Sequence, residues 1–379
     1  MIYLDNAATT PVNPEVLNVM LPYFTEKWYN PSALYSKAKE VRKDIDRATS
    51  IIKSFINAKY DDEICYTSGG SEGNCWAITG FINYYRNMNK DVLIISTPIE
   101  HKSIQLCLQN CPRTVEVCYV DIDSNGSVVL NSLENILKKY FKKKTILCSI
   151  QFANNEIGTI QNMKQICAIA HQYGAIVHSD AVQAFGQIYI DIQEINVDLL
   201  SISGHKINAP KGIGFLYIKR GTKINPLIYG TQFNGMRGGT ENVPYIMGLA
   251  KAVELCRPQE KARLISIRNY FIEKLKKQFN CKINGHLSNR LPNNINVTFN
   301  NNITGEALIY MLDMDNIMIS AGSACNAHTN KPSYVLKAIG LSDVDIYKSA
   351  RFSLFDNINE TDVDIIMRKL TDAIKTISI

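Results

Sequence analysis

Short apolar segments alternate with helical segments through the middle of the chain, and this alternation constrains the fold more than any other feature. Helical segments such as Trp76–Tyr85 and Lys164–Tyr173 lie between several of the apolar ones. Strands that alternate with helices form a mostly parallel sheet covered on both faces, and ligands bind at the carboxyl ends of its strands. The predicted strands are Ile64–Tyr66, Val92–Ser96, Val115–Val120, Thr145–Ile150, Ala175–His178, Leu199–Ser203 and Gly214–Ile218.

The pattern changes after about Cys256. A long amphipathic helix is predicted to end at Phe279, and strands are predicted at Asn294–Phe299 and Ile317–Ser320. Thr361–Asp364 resembles a capping box at the start of a final helix. We therefore predict two domains: a large one spanning residues 14–255, and a smaller α+β one formed by residues 1–13 and 256–379.

Composition excludes several classes of protein. The 379 residues are 46% hydrophobic, enough for a full core. The apolar runs are too short to cross a bilayer and the N-terminus lacks signal-peptide features, so we expect a cytoplasmic location. The ten cysteines form no CxxC pair, so we expect no metal site and mostly inert thiols. The basic run Lys142–Lys144 is typical of a solvated helix end, and we expect no nucleic-acid binding.

A lysine and an aspartate each follow a predicted strand. Lys206 comes in Ser203-Gly204-His205-Lys206 after an apolar segment, and Asp180 ends the segment Ala175–Asp180. A partly desolvated lysine can form a Schiff base with an aldehyde cofactor. A carboxylate beside the pyridine nitrogen of pyridoxal phosphate (PLP) keeps that nitrogen protonated. Together the two residues indicate a PLP site, although each alone is more typical of a loop lysine or a helix N-cap.

A glycine- and serine-rich turn follows the strand that ends at Tyr66. Its sequence is Thr67-Ser68-Gly69-Gly70-Ser71-Glu72-Gly73-Asn74. Glycines let backbone N–H groups approach an anion, and a helix predicted to begin near Asn74 would point its positive end at that anion. Ser71 adds a hydroxyl. The turn lacks the spacing of a nucleotide P-loop, so it indicates either a different phosphate site or an ordinary loop.

Two further side chains are candidates on their chemistry. His101, in a loop after the strand that ends at Ser96, could stack on a planar ring, whereas a single loop histidine is usually incidental. Arg351 could make a two-pronged contact with a substrate carboxylate, whereas a strand arginine usually lies at the surface. Both assignments depend on the neighbouring motifs.

Segments along nearly the whole chain resemble successive signatures of the cysteine desulfurase family. The decisive one is Ser320–Cys325, which is followed by Pro332–Leu336 and resembles the catalytic loop of nitrogen-fixation and iron–sulfur-cluster desulfurases. The resemblance implies a fold type I PLP-dependent transferase with a mostly parallel seven-stranded sheet and a smaller α+β domain. The other matching segments are Tyr3–Pro11, Asn30–Ser32, Thr67–Gly69, Glu100–His101, Asn154–Gly158, Asp180–Gln183, Ser203–Lys206 and Met236–Thr240.

The resemblance also implies roles for individual residues around the cofactor ring. Lys206 would bind PLP, and Asp180 would pair with the pyridine nitrogen. Gln183 would meet the ring hydroxyl, and His101 would stack on the ring.

The remaining implied contacts concern the cofactor phosphate and the substrate. Thr240 would reach the phosphate from the second subunit of a homodimer. Asn155 and Arg351 would hold the carboxylate of L-cysteine. The phosphate contacts within one subunit would be Gly70, Ser71, Ser203 and His205.

The implied reaction takes sulfur from L-cysteine and releases alanine. Lys206 would move the α-proton, and Cys325 would attack the substrate sulfur and hold it as a persulfide. The Cys325 thiol would have to lose its proton, for example to His101. An acceptor thiol, which the sequence does not identify, would then take the sulfur into iron–sulfur cluster or thio-cofactor and tRNA thiolation pathways.

Other assignments remain open on the sequence. A selenocysteine lyase or a β-lyase would use the same PLP residues, and an ordinary class V aminotransferase would not need Cys325. A non-catalytic partner that only carries sulfur would need neither Lys206 nor Asp180. Two stretches depart from the family pattern: Gly73–Trp76, and the residues after Cys325, which include His328.

Overall fold

The computed structural model describes residues 1–300, 303–321 and 332–377, with residue 377 described by its backbone alone. Cys325 and His328, which belong to the segment predicted to carry the sulfur chemistry, lie outside the described residues. Within the described ranges, no helix is both long enough and apolar enough to cross a membrane.

Helices and strands alternate along the chain as follows. The strands are β1 (Ile2–Tyr3), β2 (Ile64–Thr67), β3 (Val92–Ser96), β4 (Glu116–Tyr119), β5 (Thr145–Ser149), β6 (Ile176–Asp180), β7 (Leu199–Ser203), β8 (Gly214–Ile218), β9 (Cys281–Ile283), β10 (Asn294–Phe299), β11 (Ile317–Met318), β12 (Ser320–Ala321) and β13 (Ser349–Ser353). The helices are α1 (Pro14–Met20), α2 (Pro22–Thr25), α3 (Ser36–Phe55), α4 (Gly70–Asn87), α5 (Lys102–Gln109), α6 (Leu130–Tyr140), α7 (Met163–Gln172), α8 (Ile192–Ile195), α9 (Val243–Leu255), α10 (Ala262–Gln278), α11 (Gly305–Met314), α12 (Tyr334–Ala338), α13 (Asp343–Tyr347) and α14 (Glu360–Ile377).

A seven-stranded sheet organises the larger part of the molecule. Its strand order is β2-β8-β7-β6-β5-β3-β4, in which β8 is antiparallel to both neighbours and the other pairs are parallel. Every residue of β2, β3, β7 and β8 is buried because helices cover both faces. One core holds residues of α3, α6, α7 and α9, and the opposite core holds residues of α4 and α5. The predicted strands and the mostly parallel sheet are confirmed.

A smaller antiparallel sheet has the strand order β12-β13-β10-β9. Helices α10, α11 and α14 contribute to its hydrophobic core, which includes Phe271, Phe352 and Leu370. Leu4 lies in the same core, β1 pairs with β11, and the Ser353 N–H donates to the carbonyl oxygen of Leu4. These contacts support our proposal that residues 1–13 and 256–379 form one domain and residues 14–255 another.

One predicted strand is in fact two. The segment predicted as Ile317–Ser320 divides into β11, which pairs with β1, and β12, which pairs with β13. The chain changes partners at Ile319, and a local apolar pattern does not reveal which partner each residue takes.

Two helices begin earlier than predicted. Helix α4 begins at Gly70, about one turn before Asn74. The final helix does not use Thr361–Asp364 as its capping box. Asn359 and Asp362 instead exchange hydrogen bonds, each side chain accepting from the other residue's N–H at 3.1 and 3.0 Å.

Candidate active site

Loops at the carboxyl ends of the parallel strands enclose a cavity of about 690 Å³, which β13 and the N-terminal segment also line. Ten of the predicted site residues line it together. Thr240 is exposed and lies outside this lining, and Cys325 belongs to the undescribed segment. The ten residues are Gly70, Ser71, His101, Asn155, Asp180, Gln183, Ser203, His205, Lys206 and Arg351.

The carboxylate of Asp180, the last residue of β6, is held by two donors. Its Oδ1 accepts from the N–H of Val182 at 3.0 Å, a local contact of the kind that a turn aspartate commonly makes. Its Oδ2 accepts from Nδ2 of Asn74 at 2.7 Å, a contact made across the sheet from α4. Because Asp180 is only 7% exposed, these donors determine how its carboxylate faces the cavity.

A hydrogen-bond chain connects Asp180 with His101. Nδ2 of Asn74 also lies 3.0 Å from Oγ of Ser103, and that Oγ lies 2.8 Å from Nδ1 of His101. The N–H of Ser103 donates to the same Nδ1 at 3.2 Å. Nδ1 is therefore an acceptor, and the neutral ring carries its proton on Nε2.

The protonation of His101 follows from its surroundings. Burial lowers its pKa, Asp180 partly offsets this effect, and Lys206 lowers the pKa again. A neutral ring with its proton on Nε2 is a donor at that atom. The suggested role of His101 as a base for the Cys325 thiol stays a prediction, because Cys325 lies outside the described residues.

The amine of Lys206 is held by the N-terminal segment. Lys206 ends a 3-10 turn directly after β7, and its Nζ donates to the carbonyl oxygen of Ala7 and, at 2.6 Å, to that of Ala8. Nε2 of Gln183 donates to the same Ala7 oxygen at 3.0 Å. Residues about 200 positions earlier in the chain therefore supply both acceptors of the Lys206 amine.

The predicted anion site lies at the N-terminus of α4. Gly69 has a φ of 152°, and a Cβ on Gly70 would lie 2.5 Å from Cγ2 of Val182. Glycine at position 70 therefore lets the helix N-terminus approach the loop after Asp180. Gly70 and Ser71 at this end of the helix line the same cavity as Ser203, and the first N–H groups of a helix have no acceptor within it.

His205 lies beside this end of the cavity. Its Nδ1 is 3.1 Å from Oγ1 of Thr9. Burial lowers its pKa to about 4, and Lys206 and Lys211 act in the same direction. The ring is therefore neutral at neutral pH.

Arg351 is a buried side chain of β13, so the alternative of a surface arginine is wrong. Its side chain is 3% exposed, and Nη2 lies 2.7 Å from Oδ1 of Asp5. Nη1 donates to the carbonyl oxygen of Asn155 at 3.1 Å. Nε has no hydrogen-bond partner within the described part of the chain. The guanidinium is thus oriented by the protein, and the residue lines the cavity.

Two buried carboxyl groups belong to the chain neighbours of His101 and Asn155, which are Glu100 and Glu156. Oε1 of Glu100 accepts from the Thr97 hydroxyl at 2.6 Å and from the Gln151 N–H at 3.0 Å, and burial raises the Glu100 pKa to about 8. Oε2 of Glu156 accepts from the hydroxyl of Ser333 at 2.5 Å, and burial raises the Glu156 pKa to about 7.

Sequence reasoning missed three residues that orient the predicted ones. Asn74 lies in the stretch that departs from the family pattern, and Ser103 follows the His101 motif. Asp5 lies in the N-terminal signature, but its contact with Arg351 joins residues 346 positions apart. The departure from the family pattern at Gly73–Trp76 was the one sequence feature that could have drawn attention to Asn74. Only the folded chain shows that this side chain reaches Asp180.

Comparisons with known proteins agree with this geometry. Residues 2–366 match the aminotransferase class V family. A cysteine desulfurase IscS of Methanosarcina thermophila is 42% identical over 379 residues, covering 99% of this chain and 92% of the relative. A solved NifS-like protein superimposes with a TM-score of 0.89 at 31% identity over 99% of both chains. The structure described as SspA in complex with cysteine has a TM-score of 0.82 at 34% identity, over 94% of this chain and 99% of that one.

The sheet, the cavity and these matches define a class of protein whose members use PLP. This chain belongs to the aminotransferase class V family and, within it, to the cysteine desulfurases. The family and the fold class predicted from the sequence are confirmed.

Proposed function

We propose that this protein removes sulfur from L-cysteine with PLP, releasing L-alanine and holding the sulfur as a persulfide on Cys325. The observation that supports this most strongly is the convergence of Lys206, Asp180 and Arg351 on one cavity. The names of the relatives support the activity, and the cysteine complex of the similar protein supports the substrate.

The residues present fit PLP chemically. The cavity combines a primary amine, a buried carboxylate and a helix N-terminus, which match the aldehyde, the pyridine nitrogen and the phosphate of the cofactor. The close approach that Gly70 permits would be lost with any side chain at that position. Lys206, Asp180 and Gln183 would hold the ring, with His101 against it, and Gly70, Ser71, Ser203 and His205 would hold the phosphate.

The chain's own residues would divide the work as follows. When bound, PLP withdraws electrons from the substrate α-carbon. Nζ of Lys206 would carry the α-proton, and Arg351 with Asn155 would hold the substrate carboxylate. Asp180, oriented by Asn74, would supply the negative charge beside the cofactor ring. His101 would donate a hydrogen bond from Nε2 into the cavity.

The sulfur step would use Cys325, whose role is proposed from the family resemblance. Its sulfur would attack the substrate sulfur, so an S–S bond forms while the carbon–sulfur bond breaks. The freed carbon takes up a proton to become the methyl group of alanine. One sulfur atom is transferred in total, and no external oxidant or reductant is needed. The persulfide would then pass to an acceptor thiol.

We also propose that the active unit is a homodimer. Thr240 is exposed and lies outside the cavity lining of its own subunit, as expected of a residue that serves a second one. The stretch 17–35 supports a partner surface, since it exposes large apolar side chains. They are Leu17, Leu21, Phe24, Trp28, Leu34 and Tyr35. The sulfur acceptor, the pathway it feeds and a cytoplasmic location stay predictions.

The test is to incubate the PLP-loaded protein with L-cysteine and a reducing thiol, and to measure sulfide, alanine and pyruvate. We expect sulfide and alanine in equal amounts. Pyruvate in place of alanine would instead indicate a β-lyase. The Cys325→Ser protein should bind PLP and change its absorption spectrum with L-cysteine, but should release almost no sulfide, because a hydroxyl cannot store a persulfide. Near-normal turnover of that variant would refute the role of Cys325.

A further inference from the structure

Cysteines of α4 and α5 meet where these two helices pack together. The Cys75 thiol of α4 donates to the carbonyl oxygen of Ser103 in α5 at 3.8 Å. Cys107 lies four residues after Ser103, hence on the same face of α5. The Cys107 thiol lies close enough to that of Cys75 for each to shift the pKa of the other, and both residues are only partly buried. The two sulfurs are therefore neighbours across the helix interface.

The two thiols differ in acidity. The contact with the Cys107 thiol lowers the pKa of Cys75 to about 7, against an opposing effect of burial. The same contact and burial raise the pKa of Cys107. Burial also raises the pKa values of Cys65, Cys148 and Cys167, as is typical of inert core cysteines. Near neutral pH the thiolate of this pair therefore forms at Cys75, with a protonated thiol beside it.

We propose that Cys75 and Cys107 are a redox-sensitive pair, which a hydroperoxide converts into an intramolecular disulfide. The Cys75 thiolate attacks one oxygen of the peroxide and the O–O bond breaks. The other oxygen departs as hydroxide, and Cys75 becomes a sulfenic acid. Cys107 then attacks that sulfur, and the sulfenic oxygen leaves as water with the Cys107 proton. With hydrogen peroxide, two thiols lose two electrons and two hydrogens, and the peroxide becomes two molecules of water.

The pair lies beside the hydrogen-bond chain of the candidate active site. Asn74, which holds Asp180, is the residue before Cys75, and Ser103, which holds His101, is one turn before Cys107. A disulfide requires about 2.05 Å between sulfurs. Drawing the sulfurs to that distance shifts α4 against α5 at the turn where Asn74 meets Ser103. Oxidation should therefore weaken cofactor binding reversibly.

The test uses the Cys325→Ser protein, so that the proposed catalytic thiol does not react. After treatment with hydrogen peroxide, unreduced peptide mapping should find Cys75 linked to Cys107, with an intact mass lower by about 2 Da, the mass of two hydrogens. Dithiothreitol should restore the original mass. The apparent Kd for PLP, measured on apoprotein by fluorescence, should rise several-fold in the oxidised form.

Matched variants separate this pair from the third cysteine nearby, Cys111. Adding Cys107→Ser should abolish the linked peptide and leave Cys75 to oxidise further, whereas adding Cys111→Ser should leave the link intact. Absence of the Cys75–Cys107 peptide, or its loss in the Cys111→Ser protein, would overturn the pair. An unchanged Kd for PLP in the linked protein would overturn its effect on the site. The linked peptide forms without PLP or sulfur transfer, so it tests the pair independently of the proposed function, whereas the Kd readout rests on the proposed PLP site.

Discussion

At the scale of single residues, Asn74 connects the parts of the site most directly. One amide nitrogen lies within hydrogen-bond distance of both Asp180 and Ser103, and through Ser103 it reaches His101. Its Oδ1 has no partner among the described residues, so the side chain is held entirely through its donors. The orientation of a charged group and of an aromatic ring thus depends on one neutral side chain.

We predict that Asn74→Ala weakens PLP binding at least about tenfold, because a hydrogen bond to a charged group contributes about 1.5–3 kcal/mol. The measurement is the apparent Kd of apoprotein for PLP. Asn110→Ala, which removes an exposed amide that donates to the carbonyl oxygen of Leu106 in the preceding helix, is the control and should leave the Kd unchanged. Equal affinities of the Asn74→Ala and parent proteins would show that Asp180 needs no support from α4.

The position of Arg351 leads to a prediction about substrate binding. Replacement by Lys keeps the charge but removes the planar two-pronged donor, so KM for L-cysteine should rise about 10- to 100-fold with a smaller change in kcat. Steady-state kinetics of alanine formation measures both. Arg220→Lys, an exposed residue paired with Asp62, is the matched control. A loss confined to kcat would contradict a role for Arg351 in holding the substrate.

At the scale of elements, helix α12 is anchored to the loops that carry His101 and Asn155. Its N-cap Ser333 donates to Glu156, and the hydroxyl of Tyr334 donates to the carbonyl oxygen of Glu100 at 2.8 Å. A hydrophobic cluster joins the same elements and includes Ile99, Ile157, Val335 and Leu336. The Glu156 carboxyl group contacts α12 directly, and the Glu100 carboxyl group is buried in the adjoining loop, so we expect the stability of this region to depend on pH.

The variant Glu100→Gln tests whether the stability of the fold depends on pH through the Glu100 carboxyl group. Burial raises the pKa of Glu100 from 4.5 to about 8, so over this window the folded state keeps a proton that the unfolded state releases. The stabilisation is therefore present below about pH 4.5 and is lost as pH rises towards 8, with a slope of at most about 1.4 kcal/mol per pH unit. Glutamine does not titrate, so the variant should gain stability relative to the parent as pH increases.

Urea unfolding at several pH values between 5.5 and 8 measures this difference. Glu26→Gln, at an exposed position, serves as the control for adding an amide and should show no such trend. A difference between the Glu100→Gln and parent proteins that does not vary with pH would mean that Glu100 is ionised in the folded state throughout this range.

At the scale of the whole molecule, the proposed homodimer requires each cavity to be completed by Thr240 of the other subunit. Complementation tests this requirement. Lys206→Ala should lack the lysine in its own cavity, and Thr240→Glu should place a negative charge near the phosphate in the partner's cavity. Mixed dimers then contain one cavity with both native residues. Refolding the two variants together should restore up to about a quarter of the parent activity, because half of the dimers are mixed.

The control is to mix the two variants without unfolding, which leaves the original dimers intact. Sedimentation at assay concentrations should show a dimer before and after refolding. An active monomer, or no recovery of activity in confirmed mixed dimers, would contradict a shared site.

Local patterns were sufficient for much of this protein. Burial on both faces makes a strand a continuous apolar run, so segments such as Val92–Ser96 and Leu199–Ser203 were predicted correctly from the sequence alone. Their order with the helices determined the parallel sheet, and the motifs at strand ends placed Asp180 and Lys206 at the same edge. The ordered series of motifs also identified the family. These features depend on residues close together in the chain, where backbone periodicity carries the information.

Only the tertiary structure decided which distant side chains meet. Asp5 pairs with Arg351, and Asn74 holds Asp180. Cys75 of α4 lies beside Cys107 of α5 where the two helices pack together. Burial, which shifts the pKa of Glu100 and makes Arg351 an interior residue, likewise depends on elements packed from elsewhere in the chain. Such contacts follow from how sheets and helices pack in three dimensions, and the local sequence around each partner carries no periodic signal of the other.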